Sequence, residues 1–342
     1  MQNKTQMAAE FREAPDIVRQ QAEELTQPIA QLVATLRART PEVVVTCARG
    51  SSAHAATFGK HLIERHLGIP VSAIAPNIAT VYRQQLRLKG QLFLAVSQAG
   101  RSDDVVESVG LARAAGALTV ALVNDIASPL AEASDIVLPL MAGLESSVAA
   151  TKTFVASLAA LLRLVALWTD DAAIHQALDR LPARLAAAAA LDWTAALPGF
   201  AAANNLMSIG RGPTLAVARE AALKLKETCG IHAEAFSGAE FQHGPITLIG
   251  RDYPVIIFMP TDAAAEGLKT LAMALIGKGA LVFTSGSHSG ARHALATLEP
   301  DQADADAICL VQAFYGLVVQ VAQRRGNDAD RPPHLQKVTR TR

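Results

Sequence analysis

The sequence predicts an α/β protein of two tandem domains, each a doubly wound, mostly parallel sheet flanked by helices. Three observations support this fold class. The chain repeats itself at a fixed spacing, its short apolar runs alternate with helical patterns, and its 342 residues are enough for two domains of ordinary size.

The internal repeat relates residues 43–73 to residues 205–235. The two segments align at a constant shift of 162 residues, and the same shift carries the apolar run 92–96 onto 254–258. Few residues are identical, but the spacing is kept throughout. A duplicated domain explains this pattern better than chance does.

Short apolar runs predict four strands in each half of the chain. Because these runs alternate with helical patterns, we expect each sheet to be parallel and covered on both faces. Open sheets of this kind bind ligands at the carboxyl ends of their strands. The predicted strands are 43–47, 92–97, 118–123 and 135–139 in the first half, and 205–209, 254–259, 280–284 and 306–311 in the second.

The segments outside the sheets predict helices and a tail. We expect an N-terminal helix over residues 7–39, a linking helix over 170–197, a helix over 103–115 and a final helix over 313–325. The predicted organisation is an N-terminal helical segment, a first sheet domain, the linking helix, a second sheet domain and an irregular polar tail. Their bounds are 1–40, 41–170, 171–198, 199–325 and 326–342.

Composition excludes several classes of protein. The formal net charge is zero and no basic run occurs, which argues against a nucleic-acid partner. The first residues lack the apolar core of a signal peptide. The apolar run 147–168 contains Lys152 and Arg163, whose burial in lipid is costly, so we expect a buried helix and no membrane partner.

The cysteines are few and far apart, which argues against a disulfide framework and against a zinc site. No other metal-ligand spacing occurs, so no metal is expected. Reduced thiols fit a cytoplasmic protein. The three cysteines are Cys47, Cys229 and Cys309.

Two Gly/Ser turns of the first half are candidates for an anion site. Residues 97–102 read SQAGRS and lead into the predicted helix, and residues 50–52 read GSS after the neighbouring strand. Backbone N–H groups and hydroxyls at helix N-termini bind anions, so two such turns side by side can hold one phosphate. The same residues can also serve only as helix caps, and the spacing leaves both interpretations open.

The second half carries the charged candidates. Glu220, Lys224 and Glu227 lie on one face of a predicted helix, which is either a solvated face or a site. His243 follows in a loop over residues 232–245, where it is either a proton shuttle or polar surface. Proton transfer between C1 and C2 of a sugar needs a carboxylate base, an acid/base near the ring oxygen and a cation. Glu227, His243 and Lys224 match these needs in residue type.

Five segments of the chain resemble the sugar isomerase (SIS) family, and this resemblance implies two tandem SIS domains. They are most similar to the isomerase half of glutamine–fructose-6-phosphate amidotransferase and to stand-alone SIS-type glucosamine-6-phosphate deaminases. The resemblance covers nearly the whole chain. The segments are CARGSSAHAATFGKHLIE, SQAGRSDDVVES, AGLESSVAATKTF, GRGPTLAVAREAALKLKETCGIHAEAFSGAEFQHGPITLI and DADRPPHLQKVT.

The resemblance implies catalytic roles for four residues. The KLKE motif places the enolisation base at Glu227 and its lysine at Lys224. The HGP motif places the ring-opening histidine at His243, which relatives contribute across a homodimer interface. The tail motif places a second lysine at Lys337, after which the register differs from that of the family.

The resemblance also implies the substrate contacts. Ala99 and Ala150 stand where the family has serine, so two hydroxyls of the pattern are missing. The implied phosphate contacts are Ser52, Ser97, Gln98 and Ser102, with Gly50, Ser51 and Ala99 in the same turns. The implied sugar contacts are Glu145 and the backbone of Val148.

The amidotransferases carry a glutaminase domain with a cysteine nucleophile. In this chain the two predicted sheet domains account for nearly all of the residues. We therefore expect no glutaminase domain, and the resemblance implies conversion of glucosamine 6-phosphate and water to fructose 6-phosphate and ammonia. No cofactor is needed, because the sugar's own carbonyl is the electron sink.

Other functions remain open for a protein with the same fold. They are deamination of galactosamine 6-phosphate, deglycation of a fructosamine 6-phosphate, simple aldose–ketose isomerisation, a synthase subunit fed with ammonia by a partner, and a non-catalytic sugar-phosphate sensor. The sensor is disfavoured because such regulators usually carry a DNA-binding domain or lack the residues that match Glu227 and His243.

Overall fold

The computed structural model describes residues 5–286, 290 and 292–337. It divides into two compact units, and each holds one of the two repeated sheets. Among the described residues, the first-repeat unit consists of 16–145, 152–179 and 336–337, and the second-repeat unit consists of 5–15, 146–151 and 180–335.

A five-stranded parallel sheet forms the centre of the first-repeat unit. Its strands are β1 (Val44–Cys47), β2 (Val71–Ala73), β3 (Leu92–Ser97), β4 (Leu118–Val123) and β5 (Ile136–Pro139). They pair in the order β2-β1-β3-β4-β5. The four strands predicted for this half are confirmed. The sequence did not predict β2, because only Val71 of its three residues is buried.

The second-repeat unit contains a second five-stranded parallel sheet. Its strands are β6 (Asn205–Gly210), β7 (His232–Ser237), β8 (Pro254–Ile257), β9 (Leu281–Ser285) and β10 (His293–Leu295). They pair in the order β10-β9-β8-β6-β7, which is the order of the first sheet read from its other end. The fold class and the internal repeat are therefore confirmed.

Two assignments in the second half were wrong. Residues 306–311, predicted as a strand, lie in the long helix α13 (Ala303–Arg324), and residues 232–237, assigned to a loop, form β7. The Gln302 side chain accepts from the Ala305 N–H at 2.9 Å and caps the helix, which begins at Ala303, ten residues before the predicted start at 313. A fully buried helix and a buried strand give the same apolar run.

The predicted N-terminal helix is broken into three. They are α1 (Gln6–Glu10), α2 (Ala14–Glu24) and α3 (Thr26–Ala38), with a 3₁₀ turn over Phe11–Glu13. Pro15 and Pro28 lie in the first turns of α2 and α3. Proline lacks an N–H and is accepted at the start of a helix rather than in its interior, which explains the breaks.

The predicted linking helix ends early. The helix α9 (Ala172–Ala188) is followed by a 3₁₀ turn over Thr194–Ala196 and by α10 (Leu197–Ala202). The Asp192 side chain accepts from the Thr194 N–H at 2.8 Å, and buried Trp193 donates to the Ala296 carbonyl at 2.7 Å. These hydrogen bonds stabilise a turn at a point where the apolar pattern of the sequence predicts that the helix continues.

The remaining helices flank the sheets in corresponding positions. In the first-repeat unit α4 packs on α8, and in the second-repeat unit α11 packs on α13. The tail has no regular element over residues 326–337, and its residues 338–342 lie outside those described. The helices are α4 (Gly50–Leu67), α5 (Pro76–Thr80), α6 (Asp103–Ala114), α7 (Pro129–Ala133), α8 (Lys152–Thr169), α11 (Thr214–Cys229) and α12 (Ala265–Gly277).

Two helices pass the length and hydropathy test for a membrane span, α8 and α13. In each, 89% of the most apolar window is buried within the protein. Such burial is typical of core helices, and the prediction of a buried helix in the run 147–168 is confirmed for residues 152–168.

Candidate active site

The loop after β3 forms a compact turn at the carboxyl edge of the first sheet. Ser97 Oγ accepts from the Gly100 N–H at 3.0 Å, and the Gly100 carbonyl accepts from the Leu130 N–H at 3.1 Å. Gly100 has φ +63°, and a Cβ there would lie 2.1 Å from Ser128 Oγ. Glycine is therefore required for the turn to close.

Two helices begin beside each other at this edge. Arg49 is the N-cap of α4, and its Nε donates to Asp104 Oδ2, in the first turn of α6, at 3.0 Å. Asp104 is only 2% exposed. This ion pair joins the two helix N-termini, so the structure brings the two candidate anion-binding turns together.

Several side chains of these turns are not used to cap the helices. Ser102 is the N-cap of α6 but makes no side-chain capping bond. Within the described part of the chain, the side chains of Ser52, Gln98 and Ser102 have no hydrogen-bond partner, and all three are partly exposed. Capping alone therefore does not account for them. Gly50, Ser51 and Ala99 lie in the same two turns.

Glu145 and Lys337, both predicted from the resemblance, meet in the first-repeat unit. Lys337 Nζ donates to Glu145 Oε2 at 3.3 Å, and Thr153 Oγ1 donates to the same oxygen at 2.9 Å. Glu145 is 2% exposed, whereas the side chain of Lys337 is 25% exposed. The buried carboxylate holds the ammonium group in place and leaves part of it accessible.

The segment 146–151 is anchored from both ends of the chain within the second-repeat unit. Buried Glu10 accepts from the Ser147 N–H at 3.2 Å and also from the Ser146 N–H and the Ser147 hydroxyl. The Val148 N–H donates to the Asp330 carbonyl at 3.1 Å. The backbone group of Val148 that remains for a sugar contact is its carbonyl, because its N–H is hydrogen-bonded to Asp330. Ala150 supplies no hydroxyl.

The charged face of α11 is buried, so the interpretation as a solvated face was wrong. Lys224 Nζ lies 3.4 Å from Glu220 Oε1 and donates to Glu227 Oε2. Glu220 and Lys224 are fully buried, and the Tyr315 hydroxyl donates to Glu220 at 3.5 Å. The side chain of Glu227 is 20% exposed. Of the two carboxylates, Glu227 is thus the one within reach of a ligand.

A cluster of this kind is costly to bury without a chemical role. Removing two carboxylates and an ammonium from water carries a large desolvation penalty that mutual attraction only partly offsets. The cluster has a formal charge of −1, with Lys224 between Glu220 and Glu227. Lys224 Nζ donates to Glu227 Oε2 and so fixes the orientation of this carboxylate, and a general base must be held in position in this way.

His243 lies on the surface of the second-repeat unit. It ends a 3₁₀ turn, where its N–H donates to the Glu240 carbonyl at 3.0 Å, and Gly244 with φ +135° follows. Its exposed side chain has no hydrogen-bond or ion-pair partner among residues 5–286, 290 and 292–337. The structure does not link His243 to Glu227 or Lys224 by a hydrogen bond.

The three cysteines are buried in the protein. Burial raises the pKa of Cys47 and Cys309 to about 12 and that of Cys229 to about 11. The thiolate is the nucleophilic form, so these cysteines are unreactive at neutral pH. Within the described ranges, no group of three or more His, Cys, Asp or Glu side chains is arranged to hold a metal ion.

Sequence reasoning missed the supporting residues of the site. Glu10, Thr153, Asp330 and Tyr315 all bond to predicted residues or to their segments. Glu10 is separated from Ser146 by 136 positions. No local sequence pattern reveals such contacts. The one signal in the sequence is a set of charged residues on a helix that also carries apolar residues.

The family follows from the fold and from a match to the SIS domain model over residues 40–167 and 199–322. The chain belongs to the SIS domain family, with two copies of the domain.

Curated relatives are similar along nearly the whole chain. Glutamine–fructose-6-phosphate aminotransferase (isomerizing) of Pseudomonas putida is 32% identical over 97% of this chain, and that of Symbiobacterium thermophilum is 33% identical over 89%. The chain spans 58% and 52% of these two relatives, so it corresponds to about half of their length.

Solved structures show the same architecture. A proposed phosphosugar isomerase of Silicibacter pomeroyi DSS-3 is 43% identical, covers 95% of this chain and 100% of its own, and superposes with a TM-score of 0.91. Glucosamine-6-phosphate deaminase of Thermotoga maritima is 22% identical and superposes with a TM-score of 0.73. The match covers 96% of this chain and 100% of that one. At that identity the second comparison supports the fold alone.

Proposed function

We propose that this protein is an SIS-type glucosamine-6-phosphate deaminase that converts glucosamine 6-phosphate and water to fructose 6-phosphate and ammonia. The observation that carries the proposal is the buried Glu220–Lys224–Glu227 cluster, in which one carboxylate stays accessible. C1–C2 proton transfer requires a positioned base, and an accessible carboxylate held by a hydrogen bond from Lys224 can serve as one.

Phosphate binding is assigned to the first-repeat unit. The N-termini of α4 and α6 lie together there, and the side chains of Ser52, Gln98 and Ser102 are available to a ligand. Helix N-termini attract anions through their unpaired N–H groups and partial positive charge. The similarity to aminotransferases that act on fructose 6-phosphate supports a sugar phosphate as the ligand.

The reaction begins with ring opening, for which His243 exchanges a proton with the ring oxygen. Glu227 then removes the C2 proton of the open-chain aldehyde, which gives an enolamine, and returns a proton to C1. The product is an imine at C2. Water adds to this imine, ammonia leaves, and fructose 6-phosphate remains. Lys337 offsets negative charge that develops on the oxygen at C1.

The direct test measures both products without any glutamine. Purified protein is incubated with glucosamine 6-phosphate, and ammonia and fructose 6-phosphate are quantified. Equal amounts of the two support the proposal. Glucose 6-phosphate, galactosamine 6-phosphate and a fructosamine 6-phosphate serve as parallel substrates. Turnover of one of them without turnover of glucosamine 6-phosphate would replace the proposed substrate, and tight binding of a sugar phosphate without any turnover would indicate a sensor.

A homodimer in the cytoplasm is part of the proposal. His243 is exposed and has no partner in the described chain, which fits a residue that acts in the neighbouring subunit's site. Mixing His243→Ala and Glu227→Gln subunits under conditions of exchange then restores one intact site per mixed dimer. We expect about a quarter of wild-type activity at equal amounts, for random pairing into dimers. Activity no higher than that of either variant alone would contradict a shared site.

A further inference from the structure

The second-repeat unit contains a cavity that the proposed reaction does not use. Its volume is about 430 Å³, within the range of roughly 300–1,000 Å³ that is typical of small-molecule sites. Its walls come from the loop over residues 259–262, the end of β9, the segment 297–300, the first turns of α12 and α13, and residues 184 and 191.

The cavity lies beside the counterpart of one of the two candidate phosphate turns of the first repeat, the turn after β3. The sheet order makes β8 and β9 the counterparts of β3 and β4, and the shift of 162 residues places Met259 at the position of Ser97. The cavity is therefore at the carboxyl edge of the second sheet, which is the edge where open parallel sheets bind ligands.

The features that would bind a phosphate are replaced at this edge. Asp262 occupies the position of Gly100, and its Oδ1 accepts from the Ala264 N–H at 3.0 Å. Its carboxylate thus already occupies the N-terminus of α12 and repels a second anion. Pro260 replaces Gln98 and has no N–H to donate.

Two charged side chains of the cavity wall, Arg184 and Asp306, are paired with each other. Arg184 donates to Asp306 Oδ1 at 2.7 Å, and Thr261 Oγ1 donates to Asp306 Oδ2 at 2.7 Å. The Asp301 N–H also donates to Asp306 Oδ2, at 3.0 Å. The lining also contains Lys269, Asp262 and Glu299, so its two cations and three carboxylates give a formal charge of −1, which disfavours an anionic ligand.

The rest of the wall combines apolar side chains with hydroxyls. Leu191, Leu298 and Leu310 supply apolar surface, and Ser285 and Thr297 supply hydroxyls. Ser285 Oγ accepts from the Met259 N–H at 2.8 Å, so its own O–H remains a donor. A sugar ring has a matching surface, with C–H groups on its faces and hydroxyls on its rim.

We propose that this cavity binds an uncharged, hydroxyl-bearing ring, such as an unphosphorylated hexose, at a site distinct from the catalytic residues. The second copy of the domain has a cavity at the carboxyl edge of its sheet but lacks the phosphate-binding features of the turn after β3. The proposal does not depend on which reaction the protein catalyses.

The probe is D-glucose, observed by saturation-transfer NMR with and without excess glucosamine 6-phosphate. Ala265→Phe fills the cavity from the start of α12, and Ala263→Phe adds the same ring at an exposed position outside the wall. We expect the glucose signal to survive glucosamine 6-phosphate, to persist in Ala263→Phe and to fall at least fivefold in Ala265→Phe. Turnover of the sugar phosphate should be unchanged in both variants.

Thr297→Val is a second variant that keeps the side-chain shape and removes one hydroxyl, in case Ala265→Phe does not fold. It should weaken glucose binding several-fold, as seen by titration of the same signal. Absence of a glucose signal in the wild type, its displacement by glucosamine 6-phosphate, or equal signals in the wild type and both cavity variants would overturn the proposal.

Discussion

Lys224→Met tests whether the α11 cluster is held together as the structure indicates. The change removes the ammonium between Glu220 and Glu227 and leaves a fully buried carboxylate without its cation. Breaking a buried ion pair by removing one partner costs about 3–5 kcal/mol. Lys226→Met on the same helix is the matched control, since Lys226 is exposed, and its cost should be within about 0.5 kcal/mol.

The assay must report on the second-repeat unit alone, because two units need not unfold together. The chain has two tryptophans, so a Trp168→Phe background leaves Trp193, which is 1% exposed in the second-repeat unit. Urea unfolding followed by its fluorescence gives the free energy for both variants. The double variant Glu220→Gln/Lys224→Met should recover part of the loss. A Lys224→Met protein within about 1 kcal/mol of the parent would refute the reasoning.

Two further predictions concern the first-repeat unit. Gly100→Ala introduces a Cβ 2.1 Å from Ser128 Oγ at φ +63°. The turn is then distorted, and the KM for a sugar phosphate should rise about ten- to a hundredfold. Gly110 has open space around it, so the control variant Gly110→Ala should leave KM unchanged. Burial alone raises the pKa of Asp135, but hydrogen bonds from Thr119 and the charge of Arg113 outweigh it, so the folded-state pKa lies below 3.8. The ionised carboxylate therefore stabilises the fold above the unfolded pKa, and this is lost as pH falls through the folded value. The difference in unfolding free energy between the wild type and Asp135→Asn should shrink from pH 6 towards pH 3; a constant difference would contradict it.

Much of the fold was predictable because duplication and buried parallel strands leave strong patterns. Strands β3 and β4 are runs with one polar residue each next to helical patterns, and their bounds were predicted to the residue. The edge strands β2, β7 and β10 were missed because exposed residues interrupt their apolar pattern. Residues 306–311 were misassigned because full burial removes the periodicity that separates a helix from a strand.

The site was predictable in residue type but not in environment. Spacing placed Glu220, Lys224 and Glu227 on one face of α11, but no local feature shows that α13 covers this face and contributes Tyr315. The anchoring of Val148 by Asp330 likewise joins residues far apart in the chain. Such contacts depend on tertiary packing, so they require the three-dimensional structure.

The most direct test of the central claim compares the wild type with Glu227→Gln on glucosamine 6-phosphate in D₂O. Product ammonia gives the rate, and NMR of fructose 6-phosphate detects deuterium at C1. If Glu227 carries the proton, turnover falls by roughly 10²–10⁴-fold with little change in substrate affinity, and the wild-type product carries deuterium at C1. A Glu227→Gln protein with near-normal turnover would contradict the assignment of Glu227 as the base.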